Sequence, residues 1–405
     1  MGQGIFEGLR VIDYTQAMAG PQCSLILADM GAEVIKIENH KDPARTRTGP
    51  PNVNGESLYF QTMNRNKKSV GIDMKSEEGK KVFSELVKSA DVLIENYRPG
   101  VMAKLGFGYE DCKKLNDKII YASASGFGQS GPYKNYPGLD LVAEAMGGPM
   151  SVTGFPEQPP TRPGIPFVDV LCGLNLCIGV LASLYNREKT GRGQQIDVAL
   201  LDCAVAASAT TLPKAVFGDA KPVRTGNRLD VPGGPADSFR AADRDIVISC
   251  SITNSHFTKL CDLMNMPELK DDPRFNTPFA RLDSARAGDP LKEIINEWIK
   301  DKNGMWVVNS LLKMGVPAAP IFTYEEVYKD AHIRDVREMF PTVPHPTAGD
   351  LMITGNPIKM SEYPVAYRNA CPPLGSNNTE IFKSIGFSED EIRHFTEIGA
   401  IGGAE

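Results

Sequence analysis

At 405 residues, with 44 Lys and Arg against 50 Asp and Glu, the chain carries a formal net charge of -6 at pH 7, dispersed along its length. That length leaves room for two or three domains and excludes a peptide hormone or a disulfide miniprotein. The charge provides no basic surface of the kind that nucleic acid or an anionic membrane attracts, so neither partner is expected. Hydrophobic residues make up 41%, and 38 Gly with 30 Pro fall short of low-complexity usage, which predicts an ordinary soluble, folded protein.

In chain order, short β-branched runs at Leu9 to Asp13, Glu33 to Ile37, Ser69 to Ile72, Asp91 to Glu95 and Lys118 to Ala122 read as strands. Amphipathic stretches separate them. In Ser76 to Ser89 the apolar Val82, Phe83, Leu86 and Val87 fall at helical spacing with Lys and Glu opposite. Alternation of β and α predicts a mostly parallel, doubly wound sheet. Helical patterns follow at Leu139 to Met146 and Phe167 to Glu188, and Thr190 to Leu200 reads as a Gly-rich turn entering another strand. The run Phe167 to Tyr185 approaches the length of a membrane span, but Asp169, Gly173, Asn175 and Gly179 within it favour a buried core helix.

Periodicity fades between residues 211 and 235, where Pro213, Pro222, Pro232 and Pro235 suggest a linker. A smaller α+β unit is expected over 236–325, with strands at Asp245 to Cys250 and Ala318 to Phe322 and helices at Ser255 to Met264 and Leu291 to Lys300. Residues 1–210 then form the large domain, and 326–405, with one helical pattern at Asn378 to Ile385, return to it.

The eight cysteines (Cys23, Cys112, Cys172, Cys177, Cys203, Cys250, Cys261, Cys371) contain no CxxC pair and no His placed to complete a zinc site. They read as inert thiols of a reducing cytosol. Met1 to Leu9 lacks the basic and apolar regions of a secretory signal, so a cytoplasmic location is expected. Gly126 to Gly131 matches GxGxxG after a strand, yet Pro132 and Pro137 surround a turn where a dinucleotide fold needs a helix start. A structural turn is the better reading, and no NAD or flavin is expected. The five histidines stand apart, without an HExxH or a nucleophile elbow, and no metal is expected. Cations gather near strand ends (Lys36, Arg45, Arg47, Lys67, Lys68, Arg98, Lys104), which suits a phosphorylated ligand. Asp169, just inside an apolar helix after Pro163 and Pro166, reads on position as a cap or dipole partner. The same dipole would hold it ionised, as attack on a thioester requires.

Several segments in one order resemble the class III CoA-transferases: GLRVIDYTQAMAGPQCSLILADMGAEVIKIE (Gly8 to Glu38), NRNKKSVGIDMKSEEGK (Asn64 to Lys80), LIENYRPGVMAKLG (Leu93 to Gly106), SGFGQSGPY (Ser125 to Tyr133) and TGRGQQIDVAL (Thr190 to Leu200). DPRF (Asp272 to Phe275) and GVPAAPI (Gly315 to Ile321) agree with it. That family includes formyl-CoA:oxalate, carnitine and bile-acid CoA-transferases and the related α-methylacyl-CoA racemases. The resemblance implies a Rossmann-like large domain with a small α+β domain, and an obligate homodimer of interlocked chains. It implies coenzyme A, carried as acyl-CoA, and a carboxylic acid as substrates. It makes Asp169, in PGIPFVDVLCG (Pro163 to Gly173), a nucleophile that passes through aspartyl-anhydride and aspartyl-CoA intermediates.

Carried over residue by residue, the family's CoA contacts fall on Met18 and Ala19, on Ile72 to Lys75, on Asn96, Tyr97, Arg98 and Lys104, and on Pro137, Gly138, Leu139 and Asp140. At Asn39 formyl-CoA transferases tend to carry an Arg. Where those enzymes place a glycine-rich lid, this chain reads Val231 to Pro235, which makes Gly233 and Gly234 candidate oxyanion donors in a shorter, stiffer lid. Leu139 stands where the racemases have a proton-abstracting His, which weakens the racemase alternative. A non-catalytic acyl-CoA-binding protein is the other alternative, and the retained Asp169 argues against it.

Overall fold

The structure is a computed structural model and describes residues 4–218, 222–250 and 254–403. The chain divides into two compact units. The first comprises Met1–Pro149, Pro163–Val216 and Ala331–Glu405, and the second Met150–Arg162 and Phe217–Asp330.

Among the described residues of the first unit, six strands form one sheet: β1 (Arg10–Tyr14), β2 (Glu33–Glu38), β3 (Lys68–Gly71), β4 (Val92–Glu95), β5 (Ile120–Ser125) and β6 (Gln195–Ala199). They run in the order β3-β2-β1-β4-β5-β6, and every neighbouring pair is parallel. The expected doubly wound α/β sheet is present. Its inner strands are nearly continuous apolar runs because both faces are covered. Alternate residues serve the two sides: Ile12, Ile35 and Leu93 pack on one, Val11, Val34 and Val92 on the other.

Helix α1 (Ala19–Asp29) and the long α4 (Phe167–Thr190) cover the Val11 face, and α2 (Glu77–Ser89) covers the Ile12 face. The predicted core residues Val82, Phe83, Leu86 and Val87 are the ones α2 buries, and Ser76 caps it by accepting the Gly79 N–H. Between α2 and α4 lies the short α3 (Asp140–Met146), and α5 (Leu200–Ala207) follows β6.

Helix α4 departs from the buried helix expected. One stripe, including Val168, Cys172, Leu176 and Val180, is buried, while Leu174, Ile178 and Tyr185 are exposed. By length and composition it could cross a membrane, but its buried stripe packs against α1 and the sheet.

The last segment of the chain returns to the Ile12 face through Asn378–Ser384 and Glu389–Glu397, burying Ile381, Phe382, Ile392 and Phe395. The second of these helices goes beyond the single helical pattern expected there. Its local signal is a capping box, in which Ser388 accepts the Glu391 N–H and Glu391 accepts the Ser388 N–H. In the second unit an antiparallel sheet joins β7 (Ala236–Arg240), β8 (Asp245–Ser249) and β9 (Ala318–Pro320). Helices Asn254–Met264, Pro290–Ile299 and Gly304–Lys313 close a core around Phe239, Ile246, Phe257 and Phe275.

Candidate active site

In a parallel sheet all strands end on the same side, and ligands enter where the strand order reverses, here between β1 and β4. The loops that follow these two strands are tied together. The Asn96 side chain accepts the Gln16 N–H and donates to the Gln16 carbonyl, both at 2.7 Å. Ala17, the next residue, has φ of +58°, a left-handed conformation unusual for a residue with a side chain.

Beneath that loop lies a buried charge cluster. Asp13, fully buried, accepts the Thr15 N–H at 3.1 Å, the Ser24 hydroxyl at 2.7 Å and the Lys67 ammonium at 2.8 Å. The Thr15 hydroxyl donates to it as well. Lys36 lies 3.6 Å from Asp13 and donates to the Thr15 carbonyl at 2.9 Å, and Lys67 also donates to the Pro21 carbonyl. Residues on both sides of the loop are therefore bound to one carboxylate. Burial alone raises the Asp13 carboxyl, but Lys36 and Lys67 outweigh it and hold the group far below the usual carboxylate range. Burial in turn lowers Lys67 to about 8, although Asp13 works against that shift.

The head of α4 is built differently. Pro166 precedes the helix and supplies no side-chain cap, so its first amides need other acceptors. The Asp169 N–H finds one in the Oδ1 of Asp140, at 3.0 Å. Asp140 is brought there by the first glycine of the GxGxxG motif. A Cβ on Gly138 would lie 2.4 Å from the Gly126 Cα, so the two glycine backbones touch and pin residues 137–140 over the end of β5. The motif thus acts as a packing turn, with Gly128 and Gly131 both at positive φ.

Burial, followed by the neighbouring Asp140, pushes the Asp169 carboxyl up to about 6. A carboxyl at about 6 is still largely ionised at neutral pH, the form that attack on a thioester requires, although burial and a like charge raise it. Tyr59, in the short helix Leu58–Asn64, stands close enough for the Asp169 charge to raise its phenol, after the larger effect of burial. No spacing signal in the sequence marks Tyr59.

The other candidate positions occupy this same edge of the sheet: Met18 and Ala19 at the head of α1, Asn39 after β2, Ile72 to Lys75 after β3, Asn96 to Arg98 after β4, and Pro137 to Asp140 beyond β5. Several of their side chains are committed elsewhere. The Asn96 side chain is bonded to Gln16, Asp140 to the Asp169 amide, and Ile72 lies in the hydrophobic core. Tyr97 packs against Tyr14 with ring centroids 4.8 Å apart and the rings tilted by 42°. Asn39 accepts the Lys41 N–H.

The expected cluster of ligand cations is corrected. Lys36 and Lys67 serve Asp13, Arg47 pairs with Glu38 at 2.6 Å, and Lys68 bridges Glu33 and Glu380. Arg45, Lys75, Arg98 and Lys104 remain exposed. In the second unit, the Gly233 N–H donates to the Pro278 carbonyl and the Gly234 N–H to the Cys250 carbonyl, each at 3.2 Å. In this conformation both candidate oxyanion amides are engaged within their own unit.

A doubly wound α/β unit with Arg45, Lys75, Arg98 and Lys104 exposed, and a half-buried carboxylate that no salt bridge reaches among the described residues, suits a class of enzyme that takes large anionic ligands. Comparison with known proteins narrows the class. The description of CoA-transferase family III matches residues 6–378. The chain is 38% identical over 390 residues to acetyl-CoA:oxalate CoA-transferase of Acetobacter aceti, covering 96% of this chain and 97% of that protein. It is 36% identical to succinyl-CoA:mesaconate CoA-transferase of Haloarcula marismortui, covering 95% and 97%. Among solved structures, a CAIB/BAIF family protein from Brucella suis superposes with a TM-score of 0.83 at 33% identity, over 95% of this chain and 100% of that one. The chain belongs to CoA-transferase family III, and it is an enzyme of that family.

Proposed function

We propose that this protein moves CoA from an acyl-CoA thioester to a free carboxylic acid, with Asp169 as the acyl carrier. The observation that carries this reading is a half-buried carboxylate at the head of an apolar helix, faced by a second carboxylate, in a family III chain. An Asp169 oxygen attacks the thioester carbonyl and the C–S bond breaks, giving a mixed anhydride and CoA thiolate. The thiolate attacks the aspartyl carbonyl, which releases the donor acid and leaves an aspartyl-CoA thioester. The incoming carboxylate attacks that thioester to form a second anhydride and free the thiolate. Thiolate attack on the new acyl group yields the product acyl-CoA and restores the aspartate.

The amides of Ala19 and Gly20 at the head of α1 are the candidate donors to the developing oxyanion, each typically worth about 3 kcal/mol. Exposed Lys75, Arg98 and Lys104 are candidate contacts for the CoA phosphates. For the acids, the names of relatives point to dicarboxylates: oxalate and mesaconate above, and glutarate in a Mus musculus relative with 33% identity. Dicarboxylates are therefore the first acceptors to screen, against acetyl-CoA and succinyl-CoA. The reading goes with a homodimer in the cytoplasm, and the exposed apolar stripe Leu174, Ile178 and Tyr185 on α4 supports the association alone.

The test is to incubate the protein with an acyl-CoA, trap with hydroxylamine and map the adduct by mass spectrometry. Modification of Asp169 is expected. An adduct on another carboxylate, or CoA transfer that survives in Asp169→Asn, rejects the assignment.

A further inference from the structure

We propose that Asp140 is a positioning residue for the nucleophile: it anchors the Asp169 backbone amide and holds a second carboxylate charge beside the reacting one. The inference rests on the reading of Asp169 given above. Its own basis is geometric. Asp140 is the first residue of α3, yet it serves as the cap that Pro166 cannot provide, accepting the Asp169 N–H through Oδ1 at 3.0 Å. Its other oxygen, Oδ2, is buried with no hydrogen-bond partner, and the residue is only 8% exposed. A buried carboxylate oxygen without a donor is costly, and a segment pinned by the Gly126–Gly138 contact keeps it there.

The chemistry explains what such an arrangement can do. While both groups are ionised they repel one another. Attack on the thioester converts Asp169 from an anion into a neutral acyl derivative, and the charge departs on the CoA sulfur. Repulsion present in the free enzyme is absent from the intermediate, so the neighbour favours acylation and keeps the nucleophile basic. The elevation of the Asp169 carboxyl to about 6 agrees with this, with burial the larger cause and Asp140 the second. The other titratable groups identified near Asp169 are the Tyr59 phenol and, one turn along α4, the Cys172 thiol. Glu144 is the other buried carboxyl of α3.

The experiment compares the pH profiles of kcat/KM for wild type, Asp140→Asn and Asp140→Glu. Asp140→Asn keeps an oxygen acceptor but loses the charge. Its acid limb should move about one pH unit lower and kcat should fall about tenfold, with KM for the acyl-CoA within about twofold of wild type. An unmoved limb with unchanged kcat overturns the proposal. If Asp140→Asn fails to fold, Asp140→Glu decides: retained charge predicts a wild-type limb with a slower kcat, and a limb displaced downward overturns it. Mapping the trapped adduct in wild type separates the two readings. An adduct away from Asp169 removes the nucleophile itself, whereas an adduct on Asp169 with an unmoved limb and unchanged kcat in Asp140→Asn removes only the role of Asp140.

Discussion

Asp13 and Asp169 are carboxylates of the same unit, both withdrawn from water, and they are treated in opposite ways. Asp13 is surrounded by two ammonium groups, two hydroxyls and an amide, and its carboxyl sits far below the ordinary range. Asp169 faces another carboxylate, no salt bridge reaches it among the described residues, and its carboxyl rises to about 6. A buried charge whose partners satisfy it adds order but little reactivity. One left without a counter-ion keeps the free energy that a nucleophile can spend on chemistry.

The sharpest way to break this contrast is Asp169→Asn. Transfer should fall by about three orders of magnitude or more, as removal of a covalent nucleophile does, and the hydroxylamine adduct should vanish. Stability should hold or rise slightly, since a repelled charge has been removed, and a lowered Tm would contradict the account.

Asp13→Asn should act in the other direction, costing about 3–5 kcal/mol in urea denaturation because Lys36 and Lys67 are left buried and uncompensated. A cost below about 1 kcal/mol would mean that the cluster does not hold the first loop.

The pH dependence of stability separates the two regions again. For Asp169 the folded-state pKa is raised, so its contribution is fully present at pH below about 4 and is lost as pH rises through about 6, amounting to roughly 1–2 kcal/mol after allowance for solvent. Asp13 is depressed, so its contribution is present above the ordinary carboxylate range and is lost on further acidification. Glu95, raised to about 7 chiefly by burial, adds to the first effect. Denaturation midpoints measured from pH 4.5 to pH 8 should fall with rising pH, and less steeply in Asp169→Asn.

The smallest effect expected is a calibration distant from both carboxylates. Ser388→Ala removes a helix cap and should cost about 1 kcal/mol by thermal or urea melting, with transfer activity unchanged.

Much of this architecture is written in local pattern. Apolar runs such as VIDY and VLIE announce buried parallel strands, and the amphipathic spacing of Val82, Phe83, Leu86 and Val87 identifies the face that α2 turns inward. Asp169 drew notice because an acid just inside an apolar helix is conspicuous in one dimension, but position alone read as a cap and only the family resemblance made it the candidate nucleophile. Tyr59 drew none, because nothing in residues 52–64 relates that helix to a helix start more than a hundred residues later. The basic residues near strand ends misled for a similar reason: sequence shows that Lys36 and Lys67 lie there, but not that both point at Asp13.

By itself, then, the order of residues determined the doubly wound class, the family likeness and the one carboxylate worth testing, since each depends on neighbours in the chain or on motifs in a fixed order. Tertiary structure alone decided which charges are spent on one another and which glycines are packing contacts. It also decided that Asp140 is turned toward Asp169 and that Gly233 and Gly234 have already given away their amides. Those outcomes depend on through-space distances of a few ångströms between segments far apart in sequence, and electrostatic and hydrogen-bond energies are set by those distances.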